Sequence, residues 1–319
     1  MPTVMTVTGL NPEMLVDAIR DARLEPCVLS QRPVSSELAS LLCGKIGLDF
    51  ARIGPAMQFR GEMARSAYTL VFVMECPEKG RSFNFGVEHA DGYLGFFPPG
   101  GEVDAMTPKG YVNATLTVPI AEFHAALEHH IPEFPEHLLR SGAGLRVGAD
   151  EQARLRDLLD QQERALWDSP AVFNEPGMGD RVGSELLASF MAALRSGCAE
   201  WMPPPTNRIG GRFRRLRQAR EFLAAHTHEP VYLAHLCAEI GLTSRGVENL
   251  FQDLLGVSPM TYLRHQRLHG ARRALLEAAP EDGTVKSAAL DWGFLHHGHF
   301  ARDYRTLFGE SPAQTLARR

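Results

Sequence analysis

One stretch of this chain is written twice. "LAHLCAEIGLTSRGVENLFQDLLGVSP" (233–259) and "VKSAALDWGFLHHGHFARDYRTLFGESP" (285–312) share their apolar and glycine positions. Leu233, Leu236, Cys237, Ile240, Gly241 and Leu242 correspond to Val285, Ala288, Ala289, Trp292, Gly293 and Phe294 at an offset of 52. Val247, Phe251, Gly256, Ser258 and Pro259 correspond to Phe300, Tyr304, Gly309, Ser311 and Pro312 at an offset of 53, so the second copy has one extra residue in its turn. Each copy reads as a short apolar-faced helix ending at a glycine, a brief turn and a second helix. This is the helix-turn-helix pattern, in which the second helix enters the major groove of DNA.

Helical spacing predicts the faces of each second helix. In the first copy Val247, Leu250, Phe251 and Leu254 form the inward stripe, and Arg245, Glu248, Asn249 and Gln252 lie opposite. In the second copy Phe300, Tyr304 and Leu307 point inward, while His297, Gly298, Ala301 and Arg302 share the outer side with His299 at its margin. His296 takes the place of Thr243, at a helix start where backbone N–H groups favour a phosphate. Arg grips guanine bidentately, Asn favours adenine and Glu accepts from cytosine. The predicted DNA-contacting set is Ser244, Arg245, Glu248, Asn249, Gln252, His296, His297, Gly298, His299 and Arg302. Two other readings of the three histidines compete: a metal site, or solvated side chains with no partner. Against metal, His296 and His297 diverge by about 100° around a helix, and no Cys or further His lies close in sequence to complete a tetrahedron. We expect neither a metal nor a cofactor.

Between the copies, "SPMTYLRHQRLHGARRALLEAA" (258–279) reads as a rigid spacer helix. Pro259 suits its first turn, and Tyr262, Leu263, Leu268, Ala271 and Leu275 form its inward stripe. Arg264, Arg267, Arg272 and Arg273 are available for phosphates or ion pairs; for Arg267, beside the stripe, an ion pair is expected. Charge divides accordingly. From Thr206 onward 16 basic residues face 11 acidic ones, a net of +5, and the remainder carries −10. Only the rear of the chain suits a polyanion.

The boundary is predicted at "MPPPTNRIGG" (202–211), three prolines followed by a loosening glycine pair. Ahead of it, 57–63, 69–75, 82–88, 93–97 and 111–118 have strand-like makeup, and 50–118 reads as a small antiparallel sheet or barrel. Two amphipathic helices follow: Leu155, Leu158, Leu159 and Leu166 on one, and Val182, Leu186, Phe190, Leu194, Cys198 and Trp201 on the other. The second stripe is expected to pair between subunits, since paired DNA sites favour the dimer, with packing onto the sheet nearly as well suited. Phe59, Phe72, Phe83, Phe85, Phe96 and Phe97 either fill the core or line a small-molecule pocket; core is the expected role. Five scattered cysteines with no CxxC pair suit a reducing cytosol, and neither a secretion signal nor a membrane-length apolar run is present in the sequence.

The C-terminal part resembles the AraC/XylS family of bacterial transcription regulators. The resemblance covers about 100 residues from Arg214 on. It rests on the doubled unit, on Gly256-Val257-Ser258-Pro259 with Tyr262-Leu263 and Arg267-Leu268, and on Gly293-Phe294, Phe300, Arg302, Tyr304 and Gly309-Glu310-Ser311-Pro312. The front is similar, more weakly, to cupin-like sensor domains of the ethanolamine-operon-regulator style. The resemblance implies an α+β chain: a cupin-like antiparallel β domain with flanking helices over 1–200 for sensing and dimerisation, a linker at 202–211, and an all-α DNA-binding domain over 212–319. Its helix-turn-helix units are expected at about 232–255 and 284–308. It further implies a cytoplasmic, nucleoid-associated homodimer that binds promoter DNA, touches RNA polymerase and answers to a small-molecule effector whose contact residues are unknown, most often as an activator. Two departures from the family pattern are Gly246 inside the first recognition helix and His296 where a small capping residue is usual. Two alternatives stand beside it: a cupin-like enzyme with a DNA-localising tail, and a constitutive repressor or architectural protein. The enzyme reading lacks the HxH pair that a metal-dependent cupin needs, since His89, His124, His129, His130 and His137 supply none.

Overall fold

The computed structural model describes residues 2–30, 34–77, 82–198, 201–202, 208–277 and 284–318. They divide into two compact units, one of Met1–Pro26 with Ser35–Pro204, the other of Cys27–Val34 with Pro205–Arg319.

The first unit opens with β1 (Thr3–Leu10), α1 (Pro12–Asp17) and β2 (Arg23–Val28), whose last two residues count with the second unit. Next come β3 (Ser36–Cys43), β4 (Ile46–Ile53), β5 (Met57–Glu62), β6 (Ala67–Glu75), β7 (Phe83–Asn84) and β8 (Val87–Glu88). Then follow β9 (Tyr93–Phe97), β10 (Glu102–Thr107) and β11 (Tyr111–Pro119). The helices α2 (Ile120–His130), α3 (Leu138–Ser141), α4 (Ala149–Asp168) and α5 (Met178–Cys198) complete it, with β12 (Ala143–Arg146) before α4 and β13 (Trp201–Met202) after α5. One sheet runs β1-β3-β4-β11-β6-β9-β12-β13 and the other β2-β5-β10-β7-β8.

Alternation in the larger sheet decides where the core lies. Leu41 and Leu48 on β3 and β4, Leu70 and Phe72 on β6, Leu94 and Phe96 on β9, and Ala114 and Leu116 on β11 share one face. They are packed in one cluster with Phe123 of α2, Leu155, Leu159 and Leu166 of α4, and Val182, Leu186, Phe190 and Leu194 of α5. The period-2 rows of the strands thus meet the period-3.6 stripes of three helices. This settles two expectations. The α5 stripe is spent inside its own unit, against α2, α4 and the sheet, so it cannot also be the dimer seam. Five of the six phenylalanines are buried, with Phe72 and Phe96 in that core, while Phe85 is 37 % exposed.

The opposite face of the sheet is buried but polar. Ser40 Oγ donates to Asp49 Oδ1 at 2.5 Å, and Arg20 donates to Ser40 at 2.7 Å while pairing with Asp49 at 3.4 Å. Thr115 sits beside Asp49 in the register and accepts from Asn113 Nδ2 at 2.9 Å. A buried carboxylate survives because it is hydrogen-bonded and paired. Burial nevertheless pushes the Asp49 pKa up, with Arg20 and Ser40 opposing.

The segment 82–88 is two short strands rather than one. Phe85, at φ 48°, and Gly86, at φ 82°, turn the chain back between β7 and β8. The strand-rich region also begins earlier than residue 50, since β1 to β3 precede it.

The second unit is helical: α6 (Arg208–Ala225), α7 (Leu233–Ile240), α8 (Ser244–Leu255), α9 (Pro259–Glu277), α10 (Val285–Asp291), α11 (His297–Phe308) and α12 (Pro312–Leu316). Gly210 and Gly211 are therefore helical, not part of a loose linker, while the prolines at 203–205 lie outside the described residues.

Candidate nucleic-acid interface

The written repeat is a repeat of hydrogen bonds. Leu242 N–H donates to Cys237 O at 3.2 Å, and Phe294 N–H to Ala289 O at 2.8 Å, each closing the turn after a glycine of positive φ, Gly241 or Gly293. Val247 N–H then donates to Thr243 O at 2.9 Å, and Phe300 N–H to His296 O at 3.0 Å. Gly256 and Gly309, at φ 71° and 75°, end α8 and α11 with bonds to Gln252 O and Arg305 O. The bonds fall at the offsets of 52 and 53 read from the sequence, so Leu295 is the inserted residue; its side chain is exposed.

Each second helix is held from behind. Val247, Leu250, Phe251 and Leu254 are buried, as are Phe300, Tyr304 and Leu307. The outward faces are left to solvent: Ser244, Arg245, Glu248, Asn249 and Gln252 on α8 are all exposed, as are His296, His297, Gly298, His299 and Arg302 at the start of α11. The structure brings together the five of each copy on one helix face or helix start. The two helix starts differ. Thr243 Oγ1 caps α8 by accepting from Gly246 N–H at 3.2 Å. His296 occupies the same place on α11 with no side-chain cap, leaving the first-turn N–H groups uncapped by it. The His296 and His299 rings lie 5.7 Å apart. Among the described residues no group of three or more His, Cys, Asp or Glu is arranged to hold a metal ion. Arg302 Nε donates to Asp303 Oδ1 at 3.4 Å.

The helix α9 joins the two copies. Its Tyr262, Leu263, Leu268, Ala271 and Leu275 are buried, and Pro259 opens it after Ser258, as Pro312 opens α12 after Ser311. Gly270 faces the Trp292 ring so closely that a Cβ there would lie 2.1 Å from it. That contact presses the second copy onto the spacer helix.

Arg267 departs from expectation. Its guanidinium donates to the carbonyls of Thr227, at 2.7 Å, and Glu229, at 2.5 Å, so it ties down the chain after α6 and makes no ion pair among the described residues. The buried ion pair belongs to Arg272, whose Nη1 lies 2.6 Å from Glu310 Oε1. Glu310 also accepts from Thr315 at 2.9 Å and meets Arg318 at 2.6 Å, and Tyr304 donates to Thr315 at 2.8 Å. Arg272 stacks over Phe308, 4.6 Å from its centroid. This hub fixes α12 and the end of α11 onto α9. Sequence reasoning noted both residues but had no means of pairing positions 38 apart.

Two exposed, matched reading helices clamped to one spacer define a double helix-turn-helix DNA-binding unit. Comparison with known proteins agrees. Residues 236–318 match the family described as "Helix-turn-helix domain". The chain is 39 % identical over 101 residues to a probable thc operon regulatory protein of Rhodococcus erythropolis, covering 32 % of this chain and 30 % of that one. It is 36 % identical over 98 residues to XylDLEGF operon transcriptional activator 2 of Pseudomonas putida, covering 30 % of this chain and 62 % of that one. A crystal structure described as a probable AraC family transcriptional regulator from Rhodopseudomonas palustris is 42 % identical, covering 33 % of this chain and 96 % of that one, with a TM-score of 0.31. Over residues 236–318 the chain is thus similar to the helix-turn-helix domains of operon regulators. The chain spans about a third of the length of the first curated relatives it matches. No helix among the described residues is long and apolar enough to cross a membrane.

Proposed function

We propose that this protein is a sequence-specific transcription regulator, an activator whose rear unit reads promoter DNA and whose front unit answers to a small-molecule effector. It works in the cytoplasm at the nucleoid, as a homodimer in contact with RNA polymerase, and it is not an enzyme. Residues 1–200 serve sensing and dimerisation, 212–319 serve DNA binding, and 202–211 joins them. The observation that carries the reading is the paired geometry: two matched helices with buried backs and open polar fronts, joined by one continuous helix. Relatives named as operon activators support the sign of regulation.

Within this reading Arg245, Glu248, Asn249 and Gln252 meet base edges from α8, with Ser244 at the helix start. From α11, His297, His299 and Arg302 do the same, Gly298 lets the backbone approach, and His296 faces a phosphate. In bases, Arg302 suits guanine and Asn249 adenine. The test is a comparison of transcripts and of genome-wide occupancy with and without the protein. Occupied sites sharing one motif upstream of genes whose transcripts fall on deletion support it. Occupancy without a motif, or no transcript change, refutes it.

A further inference from the structure

The second unit contains eight residues from far ahead of the rest of it, Cys27–Val34. Both main-chain groups of Val28 are taken by histidines of α9. Val28 N–H donates to His269 Nε2 at 3.0 Å, and Val28 O lies 2.7 Å from His265 Nδ1. A carbonyl only accepts, so His265 Nδ1 carries the proton, while His269 Nε2 presents its lone pair. The histidines are one helical turn apart and so face the same way. Both are buried, as are Cys27, Val28 and Leu29. Burial pushes His265 down to about 4, which keeps the ring neutral, against the raising effect of the Val28 carbonyl.

The seat reaches the second reading helix from behind. The His269 ring stands edge-on to Phe308 of α11, centroids 5.0 Å apart. Asp303 of α11 lies within electrostatic reach of His265. Cys27 in turn is within reach of Arg220 on α6. None of these contacts uses the outward face of α11, where His297, His299 and Arg302 remain exposed.

We propose that the described residues Cys27–Ser30 are a strap, held by a two-histidine clasp on α9, and that its seating braces α11 for specific DNA binding. Pro26, directly before it, counts with the first unit. Recognition is of main chain: one donor and one acceptor of one residue, met by one acceptor and one donor. Seated, the strap fixes the His269–Phe308 contact; released, it leaves α11 without that brace. The coupling rests on the DNA-binding reading above.

The test uses the full chain and two variants that break the same bond from opposite sides. His269→Leu keeps bulk and removes the acceptor; Val28→Pro removes the donor. Hydrogen exchange of the peptide spanning 27–34 and affinity for a selected promoter fragment are measured together, with a scrambled duplex as control. Both variants are expected to raise exchange of the strap about tenfold and to weaken specific binding about tenfold, the scale of one lost buried hydrogen bond, while scrambled-duplex affinity holds. Exchange that stays at the parent rate overturns the clasp. Faster exchange with unchanged promoter affinity overturns the coupling and leaves the strap a structural tie. If the parent itself binds no selected fragment, the regulator reading fails, and the coupling with it, before any variant is compared.

Discussion

Glu310→Gln is the substitution whose cost the structure specifies best. The change keeps the shape of the side chain and deletes its charge. Arg272 and Glu310 side chains are 3 % and 9 % exposed, so the deletion strands a guanidinium in the interior beside Phe308. Removing one partner of a buried pair costs about 3–5 kcal/mol. Arg318, 63 % exposed, contributes under about 1 kcal/mol. Glutamine can still accept from Thr315, so that bond, worth about 1 kcal/mol, survives. The expected loss is therefore about 3 kcal/mol for the second unit. Urea unfolding of a chain whose other two tryptophans are replaced by Phe, followed by Trp292 fluorescence against far-ultraviolet circular dichroism, reads it. The double variant Arg272→Met with Glu310→Leu should recover at least half, because it leaves no charge behind. A Glu310→Gln loss below about 1 kcal/mol would show that Arg272 finds water or another partner, and would refute the hub as the element holding α12 and α11 together.

Arg302→Ala should weaken binding to a selected site by about 1–3 kcal/mol and relax preference at one base, read by competition with single-base variants; equal loss on random DNA would make Arg302 a phosphate contact. Gly270→Ala drives a methyl into the Trp292 ring, so it should cost about 1–3 kcal/mol and, with Trp167 and Trp201 replaced by Phe, shift Trp292 emission, whereas an unchanged spectrum would mean that the α9–α10 contact yields freely. Burial holds His265 near 4 and His89 near 3, both below the ordinary 6.5. An unfolded chain thus binds protons that the folded one refuses. Stability is full above pH about 6.5 and is lost as pH falls from there towards 4, by on the order of 3 kcal/mol from His265 alone. Melting between pH 7 and 5 should show the loss and His265→Phe should reduce it; a flat profile would contradict the neutral buried histidine.

The second unit was legible because its information is local. The helix stripes, the Ser-Pro helix starts and the glycine turns recur at fixed offsets, and a turn glycine needs no distant residue to explain it. In the first unit the outward alternation of β6 and β11 was readable, but β1, β3 and β4 were not. β3 and β4 keep the period of two, Ala39-Ser40-Leu41 beside Leu48-Asp49-Phe50, but their polar row is buried as well, so no solvent face marks them, and β1 is mostly exposed. The stripe on α5 was visible, yet a stripe does not say what covers it, and the covering turned out to be the chain's own sheet. Arg267, Arg272, His265 and His269 lie on one helix and look alike in sequence. Only burial separates the arginine that ties carbonyls from the one that pairs with Glu310, and the clasping histidines from solvated ones. The contact residues themselves rest on facing alone: an exposed side chain on the open face of α8 or α11 is where a base edge can be met.

The central claim is that α8 and α11 read adjacent turns of one duplex face. Hydroxyl-radical footprinting of the full chain on its selected promoter fragments measures this directly. Each bound chain is expected to protect two segments about 34 Å apart along one face, roughly one helical turn, with the motif confined to the major groove of those segments. A single protected segment per chain, or uniform protection that ignores sequence, would contradict it.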